Sequence, residues 1–414
     1  MLKKILKNIT SKEGKVLLEN FLSLSVLQVV GMILPLISLP YVLRVIGFEK
    51  YGIIVFASSF IAYFTSLTDY SFKLTATRSI SVNTNSAKKM SLIYSKVMSV
   101  KLVFLIISLL IIGLIVFLTP VFKTYYSIYF FTSLMLVGQV LFPEWFFQGI
   151  QKMKYITILN LSVKIFFTIC IFLFIKTPED FWIYPLLQSM GYIAAGLIAQ
   201  YIIVKKYHLV LSFIPMKYII STVKVNFPVF VNQFIPTLYN NTSTFLLGVF
   251  SAKELVGIYQ AIITVVNLCI TLLEILSRVF FPFLNRKKHY FFQYKKMMLI
   301  VVSLMFLGIL ILHKYVFWYL DVTYMNAFEI LLILSLGLFG YTLYNIFGVN
   351  YFIVNRLDKL VMKNTVLASL IGFIVGFPLI YYFSIFGAAI NLTLARFIMG
   401  GGLFLQYKKI KSNE

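Results

Sequence analysis

The sequence predicts an all-α membrane protein, with twelve transmembrane helices in two six-helix lobes and both termini in the cytoplasm. Three observations predict it. The chain is 60% hydrophobic and only 12% charged, with a mean hydropathy of +0.93. That is more apolar surface than a soluble core could hide, so the bilayer must solvate most of it. Apolar runs long enough to cross a bilayer recur along the whole chain, and the basic residues cluster between alternate runs. The two halves also echo each other in sequence.

Taken in order, windows of about 20 apolar residues place the first six spans at residues 21–43, 51–69, 102–119, 126–147, 155–175 and 182–204. The second six fall at 225–250, 256–281, 298–316, 328–353, 361–383 and 386–407. This divides the chain into an N-terminal lobe (1–205), a cytoplasmic linker (206–222) and a C-terminal lobe (223–414). Residues 1–15 are basic, but the first apolar run continues to Val42 and reads as a true span, not a cleavable signal peptide.

Orientation follows from the bases. With the N-terminus inside, 29 of the 37 Lys and Arg residues fall on the cytoplasmic side, including Lys73, Arg78 and Lys101 between the second and third spans. Lys164 and Arg396 remain within spans. The formal net charge of +24 is therefore read as topology setting; no nucleic-acid partner is expected. Cys170 and Cys269 both lie in apolar runs without metal or disulfide spacing.

The halves match at an offset near 205. Glu49, Lys50, Tyr51 and Gly52 align with the stretch from Lys253 to Gly257, and Asp69 falls on Glu274. Six plus six spans in one orientation imply a parallel repeat about an axis along the membrane normal, with a cleft between two bundles. The first span of each half carries two prolines, Pro35 and Pro40, then Pro228 and Pro236. The seventh span is also polar, with Asn232, Gln233, Asn240, Asn241, Thr242, Ser243 and Thr244. Such a cluster suits a wet cavity or helix–helix hydrogen bonding.

Charges within or beside spans are the candidate functional residues. Asp69 with Lys73, and Glu274 with Arg278, have the i,i+4 spacing that puts acid and base on one helix face. Each pair is either self-neutralised at the headgroup boundary or a gate or ion-coupling site. Lys164 lies about 15 Å into the bilayer, counting 1.5 Å per helical residue from Lys154, and Arg396 is similarly central. Neither has an acid within four residues on its own helix. An unpaired mid-membrane base suits a cavity or an anionic ligand. Glu144 is shallower, and a direct pair with Lys164 would be strained. His208, His289 and His313 lie far apart, no GxxxxGK[ST] loop is present, and no catalytic constellation is visible.

Three stretches carry a family resemblance. They are VIGFEKYG at 45–52, DYSF at 69–72 with ATRSI at 76–80, and EWFFQG at 144–149 running into KMKY at 152–155. The chain resembles the Wzx-type oligosaccharide-lipid flippases of bacterial polysaccharide synthesis, in the multidrug/oligosaccharidyl-lipid/polysaccharide (MOP) superfamily. It departs from them at Ser71, where a family glycine is expected. The resemblance implies a MATE-like two-lobed fold in the bacterial inner membrane. It also implies alternating access that moves undecaprenyl-pyrophosphate-linked oligosaccharide, such as an O-antigen unit of lipopolysaccharide, to the periplasmic leaflet. No cofactor is implied beyond H+ or Na+ as coupling ion. The expected partners are the substrate and the bilayer, with a polysaccharide polymerase and chain-length regulator as candidates. Lys164, Arg396, Arg78 and Arg278 would then meet pyrophosphate, while Asn232, Gln233, Asn240 and Asn241 would meet sugar. Asp69, Lys73, Glu274 and Glu144 would gate or couple. The rival readings are a cation-coupled multidrug exporter of the same superfamily, which favours cavity acids over bases, and a membrane polymerase or glycosyltransferase. Short external loops oppose the last.

Overall fold

The computed structural model describes residues 12–412. Most of the basic N-terminal stretch, residues 1–11, lies outside the described residues. The described chain is helical throughout, with no strand among those residues. Among the described residues, nine helical stretches are long and apolar enough to cross a membrane, which makes this a multi-pass membrane protein.

The first long helix, α1 (Lys12–Asp69), runs through the predicted first and second spans. It is interrupted only at Gly47, whose φ of 76° lies where a Cβ is disfavoured. Then follow α2 (Phe72–Ser81), α3 (Ala87–Leu118), the short α4 (Pro120–Lys123), α5 (Tyr126–Leu141), the short α6 (Glu144–Gly149), α7 (Met153–Phe174) and α8 (Ile183–Tyr207). The second half holds α9 (Met216–Phe250), α10 (Lys253–Arg286), α11 (Phe291–Leu320) and α12 (Ala327–Leu343). The last of these widens into a π-helix over Tyr344–Ile353. The final helix, α13 (Asp358–Ser412), breaks at Ser384, between the predicted eleventh and twelfth spans.

Two compact units emerge. The first comprises Met1–Val45 and Ile61–Gln233, and the second Ile46–Phe60 and Phe234–Glu414. In the first, Tyr94, Trp145, Phe146 and Phe147 form a buried aromatic core. Tyr94 donates to Gln200 at 2.6 Å, and Gln200 donates to the Leu141 carbonyl at 2.5 Å. The segment after α8 is held to α3, because Val210 N–H donates to Ser91 and Ser212 N–H to Ser95.

In the second unit, residues 46–60 pack on α10 with no room for side chains. A Cβ on Gly52 would stand 1.7 Å from the Lys253 carbonyl oxygen, and one on Gly257 would stand 2.1 Å from the Phe48 carbonyl oxygen. These contacts exchange under the 205-residue offset, so the repeated glycines are the points where equivalent segments touch. A second echo lies inside each unit. Gly138 of α5 meets the Tyr192 and Ile193 backbone of α8, and Gly340 of α12 meets the Arg396 and Phe397 backbone of α13. Small residues let helix backbones approach closely in lipid, where dispersion and not hydrophobicity drives association.

Between α1 and α2 the chain turns through Tyr70 (φ 40°) and Ser71 (φ 61°). Ser71 is 3% exposed and its hydroxyl has no hydrogen-bond partner. Left-handed backbone costs an L-residue about 1–2 kcal/mol, which explains why a glycine is the family expectation here. Ser71→Gly is expected to stabilise the protein by about 1 kcal/mol, after the larger unfolded-state entropy of glycine is counted. A thermal melt in detergent would read this as a higher Tm; an unchanged or lower Tm would refute the strain.

Candidate functional site

The α1–α2 break organises a polar pocket within the first unit. Because the helix stops at Asp69 and restarts at Phe72, Lys73 does not share a helix face with Asp69. The i,i+4 pair expected from spacing is thus corrected. Asp69 instead takes the Lys101 ammonium at 3.0 Å, and Lys73 pairs with Glu144 at 3.0 Å. Asn160 of α7 donates to the other Glu144 oxygen at 3.2 Å. Lys101, expected among the cytoplasmic bases, has a side chain only 3% exposed. A buried ammonium needs a counter-charge, and Asp69 supplies it.

Two of the stretches that carry the family resemblance meet here. Thr77 of α2 donates to the Trp145 carbonyl at 3.1 Å. A Cβ on Gly149 would come within 2.7 Å of Ile80. Asn20 pins the following turn, donating to the Gln151 carbonyl and accepting from Met153 N–H. The result is a pocket of about 220 Å³ lined by Thr65, Asp69, Lys73, Lys101, Gln139, Phe142, Glu144, Trp145, Asn160 and Tyr192.

One turn beyond Asn160 on α7 stands Lys164, half-buried. Its ammonium lies over α1, 2.6 Å from where a Cβ on Gly31 would be. It makes no hydrogen bond or ion pair among the described residues, although Glu144 is near enough to act on it electrostatically. Glu144 is already bonded to Lys73 and Asn160, so it leaves Lys164 without a direct partner.

The second unit has a different arrangement. Arg396 is 5% exposed, packed beneath Gly337 of α12, and donates to Asn267 at 3.4 Å. Its other terminal nitrogen has no partner. Seven residues along α10 from Asn267, on the same face, Glu274 accepts from Tyr341 and pairs with Arg278 at 3.2 Å. Here the i,i+4 pair does form, because α10 continues unbroken through it. The π-helix after α12 brings Asn350 against Ser277 and Tyr294, to which its amide donates at 2.7 and 2.8 Å.

The polar seventh span divides. Asn232, Gln233 and Asn240 are exposed, and Asn241 donates to Thr237 on its own helix. Thr242, Ser243 and Thr244 are buried, with Ser243 accepting from Asn391 of α13. The second group therefore serves helix packing. Arg78 is exposed in the last turn of α2.

Reasoning from sequence missed Lys101, Gln139, Trp145, Asn160, Tyr192 and Asn267. One signal was available. A glycine expected at Ser71 implies left-handed backbone, hence a broken helix and a free choice of partner for Asp69.

A family model described as "Polysaccharide biosynthesis protein" matches residues 17–288. Two curated relatives share the name "Putative O-antigen transporter". The one from Escherichia coli (strain K12) is 29% identical over 382 residues, spanning 90% of this chain and 92% of its own length. The one from Shigella dysenteriae is 25% identical over 391 residues, spanning 92% and 97%. Among solved structures, the lipid II flippase MurJ in an inward closed conformation aligns with a TM-score of 0.69 at 14% identity, covering 94% of this chain and 87% of that one. An inward-facing MATE-family multidrug transporter of the MOP superfamily aligns at 0.64 and 10% identity, covering 92% and 98%. These two likenesses establish the fold.

Proposed function

Because the chain belongs to the polysaccharide biosynthesis protein family, we propose that it is a flippase for lipid-linked oligosaccharide. On this reading it carries an undecaprenyl-pyrophosphate-linked repeat unit from the cytoplasmic to the periplasmic leaflet of the bacterial inner membrane. The twelve-span topology belongs to the proposal. It is supported by dividing the two longest helices at Gly47 and Ser384 and adding α9 to the nine spanning stretches.

The observation that carries the reading is Lys164. A half-buried base at the middle of α7, bonded to no acid among the described residues, is costly in a membrane unless an anion visits it. A diphosphate is such an anion, and an ammonium binds it as a point charge. The acids nearby do not favour a cationic substrate, since Asp69 and Glu144 each already hold a lysine. Arg396 is enclosed in the second unit, and its part would be to hold α10, α12 and α13 together around a fixed charge. Coupling to H+ or Na+, and assembly with a polymerase or chain-length regulator, extend the proposal.

The test is surface polysaccharide in a strain lacking the chain. Lys164→Ala is expected to lower polymer at least tenfold at normal protein level, with Lys164→Arg restoring part of it. Normal polymer in the alanine variant would remove Lys164 from the transport path.

A further inference from the structure

The pocket of the first unit holds more hydrogen-bonding capacity than its ion pairs use. Trp145 lines it, is 2% exposed, and has an indole N–H without a protein partner. Gln139 lines it too, with a buried side-chain oxygen that accepts nothing. A buried donor and a buried acceptor left unpaired in one pocket point to a group that supplies both. Water could do so, but the setting is more specific than that.

We propose that this pocket is a saccharide subsite, which reads the sugar joined directly to the pyrophosphate. The proposal rests on the flippase reading and deepens it. Charge is the first reason. Asp69 and Glu144 are matched by Lys101 and Lys73, so the pocket is neutral and favours hydroxyl groups over an ion. Size is the second. At about 30 Å³ per water, the 220 Å³ volume holds about seven waters, which suits one sugar ring and not a chain of them.

Chemistry is the third reason. An indole, two amides from Gln139 and Asn160, and a phenol from Tyr192 converge there. Amides and phenols pair with hydroxyl groups as both donor and acceptor. Placement is the fourth. Asn160 lies one helical turn from Lys164, about 6 Å along α7, close to the separation of a sugar ring from the phosphates on its anomeric oxygen. Lys164 would then hold the diphosphate while the pocket holds the first sugar, and the half-exposed Asp69 and Lys73 side chains stand at its mouth. A site that hydrogen-bonds particular hydroxyl groups rejects analogues lacking them, because its buried polar atoms are then left unpaired. The subsite would therefore select among repeat units by their first sugar.

The chain has three tryptophans, so Trp182→Phe with Trp318→Phe leaves Trp145 as sole reporter. This purified variant is titrated with free glucose, galactose, N-acetylglucosamine and N-acetylgalactosamine, and separately with inorganic pyrophosphate. A saturable change in Trp145 fluorescence is expected with at least one sugar and not with pyrophosphate alone. Gln139→Leu should weaken it at least tenfold. Gln139→Met, closer in shape, serves the same purpose if the leucine variant melts early. Silence toward every sugar, a response to pyrophosphate alone, or binding indifferent to Gln139 would overturn the subsite. Export separates the two readings. Sugar silence in a chain that still restores surface polymer removes only the subsite. A chain that never restores polymer removes the flippase reading instead.

Discussion

Gly52→Ala is expected to leave little folded protein. The added methyl would stand 1.7 Å from the Lys253 carbonyl oxygen, and the obstacle is main chain, which cannot swing aside like a rotamer. Residues 46–60 and α10 would have to separate along their contact. Overpacking of this kind costs about 3 kcal/mol or more, a large share of the stability of most domains. Gly257→Ala should behave alike, since its methyl would meet the Phe48 carbonyl at 2.1 Å. Gly113→Ala is the control, because nothing lies within 4 Å of its added methyl. The measurement is the yield of monodisperse protein with its Tm. A Gly52→Ala protein melting like wild type would mean the two segments are not in this contact.

Asp69→Asn should carry the second large effect. It removes the counter-charge of a lysine that is 3% exposed, and a buried charge left alone costs about 3 kcal/mol even where its partner is half in solvent. The companion Lys101→Met should recover most of that loss, since two neutral groups of similar size replace the pair. Lys73→Met should cost less than about 1 kcal/mol, because its pair with Glu144 is largely exposed. Thermal melts of these three variants settle the pairing. If Lys73→Met proved the costly change, and adding Lys101→Met to Asp69→Asn recovered nothing, Asp69 would be bound to its own i,i+4 neighbour after all.

These variants mark where sequence reasoning stops. The helical membrane architecture was legible because hydropathy sums over twenty residues and tolerates local error. The breaks between spans fell close to Gly47 and Ser384 for the same reason. The kinship of Gly52 with Gly257 was also legible, since equivalent positions kept their glycines. The ion pairs were not. Spacing rules assume an unbroken helix, and the turn at Tyr70 and Ser71 has no proline or glycine to announce it. Once the helix breaks, Asp69 and Lys101 meet across 32 positions of chain, a distance that no local pattern reports. Glu274 and Arg278 did pair as expected, because α10 runs straight through them.

By itself, then, the sequence determined that this protein lives in a bilayer, is helical, and keeps matching glycines, Gly52 and Gly257, in its two halves. Those properties follow from composition and from repetition, which are sums over the chain. Only the tertiary structure decided which charges neutralise each other, which half of the polar seventh span is buried, and that Lys164 is left without an acid. Such outcomes depend on which side chains face one another at contact distance in a low-dielectric interior, where a single broken turn reassigns the partners beside it.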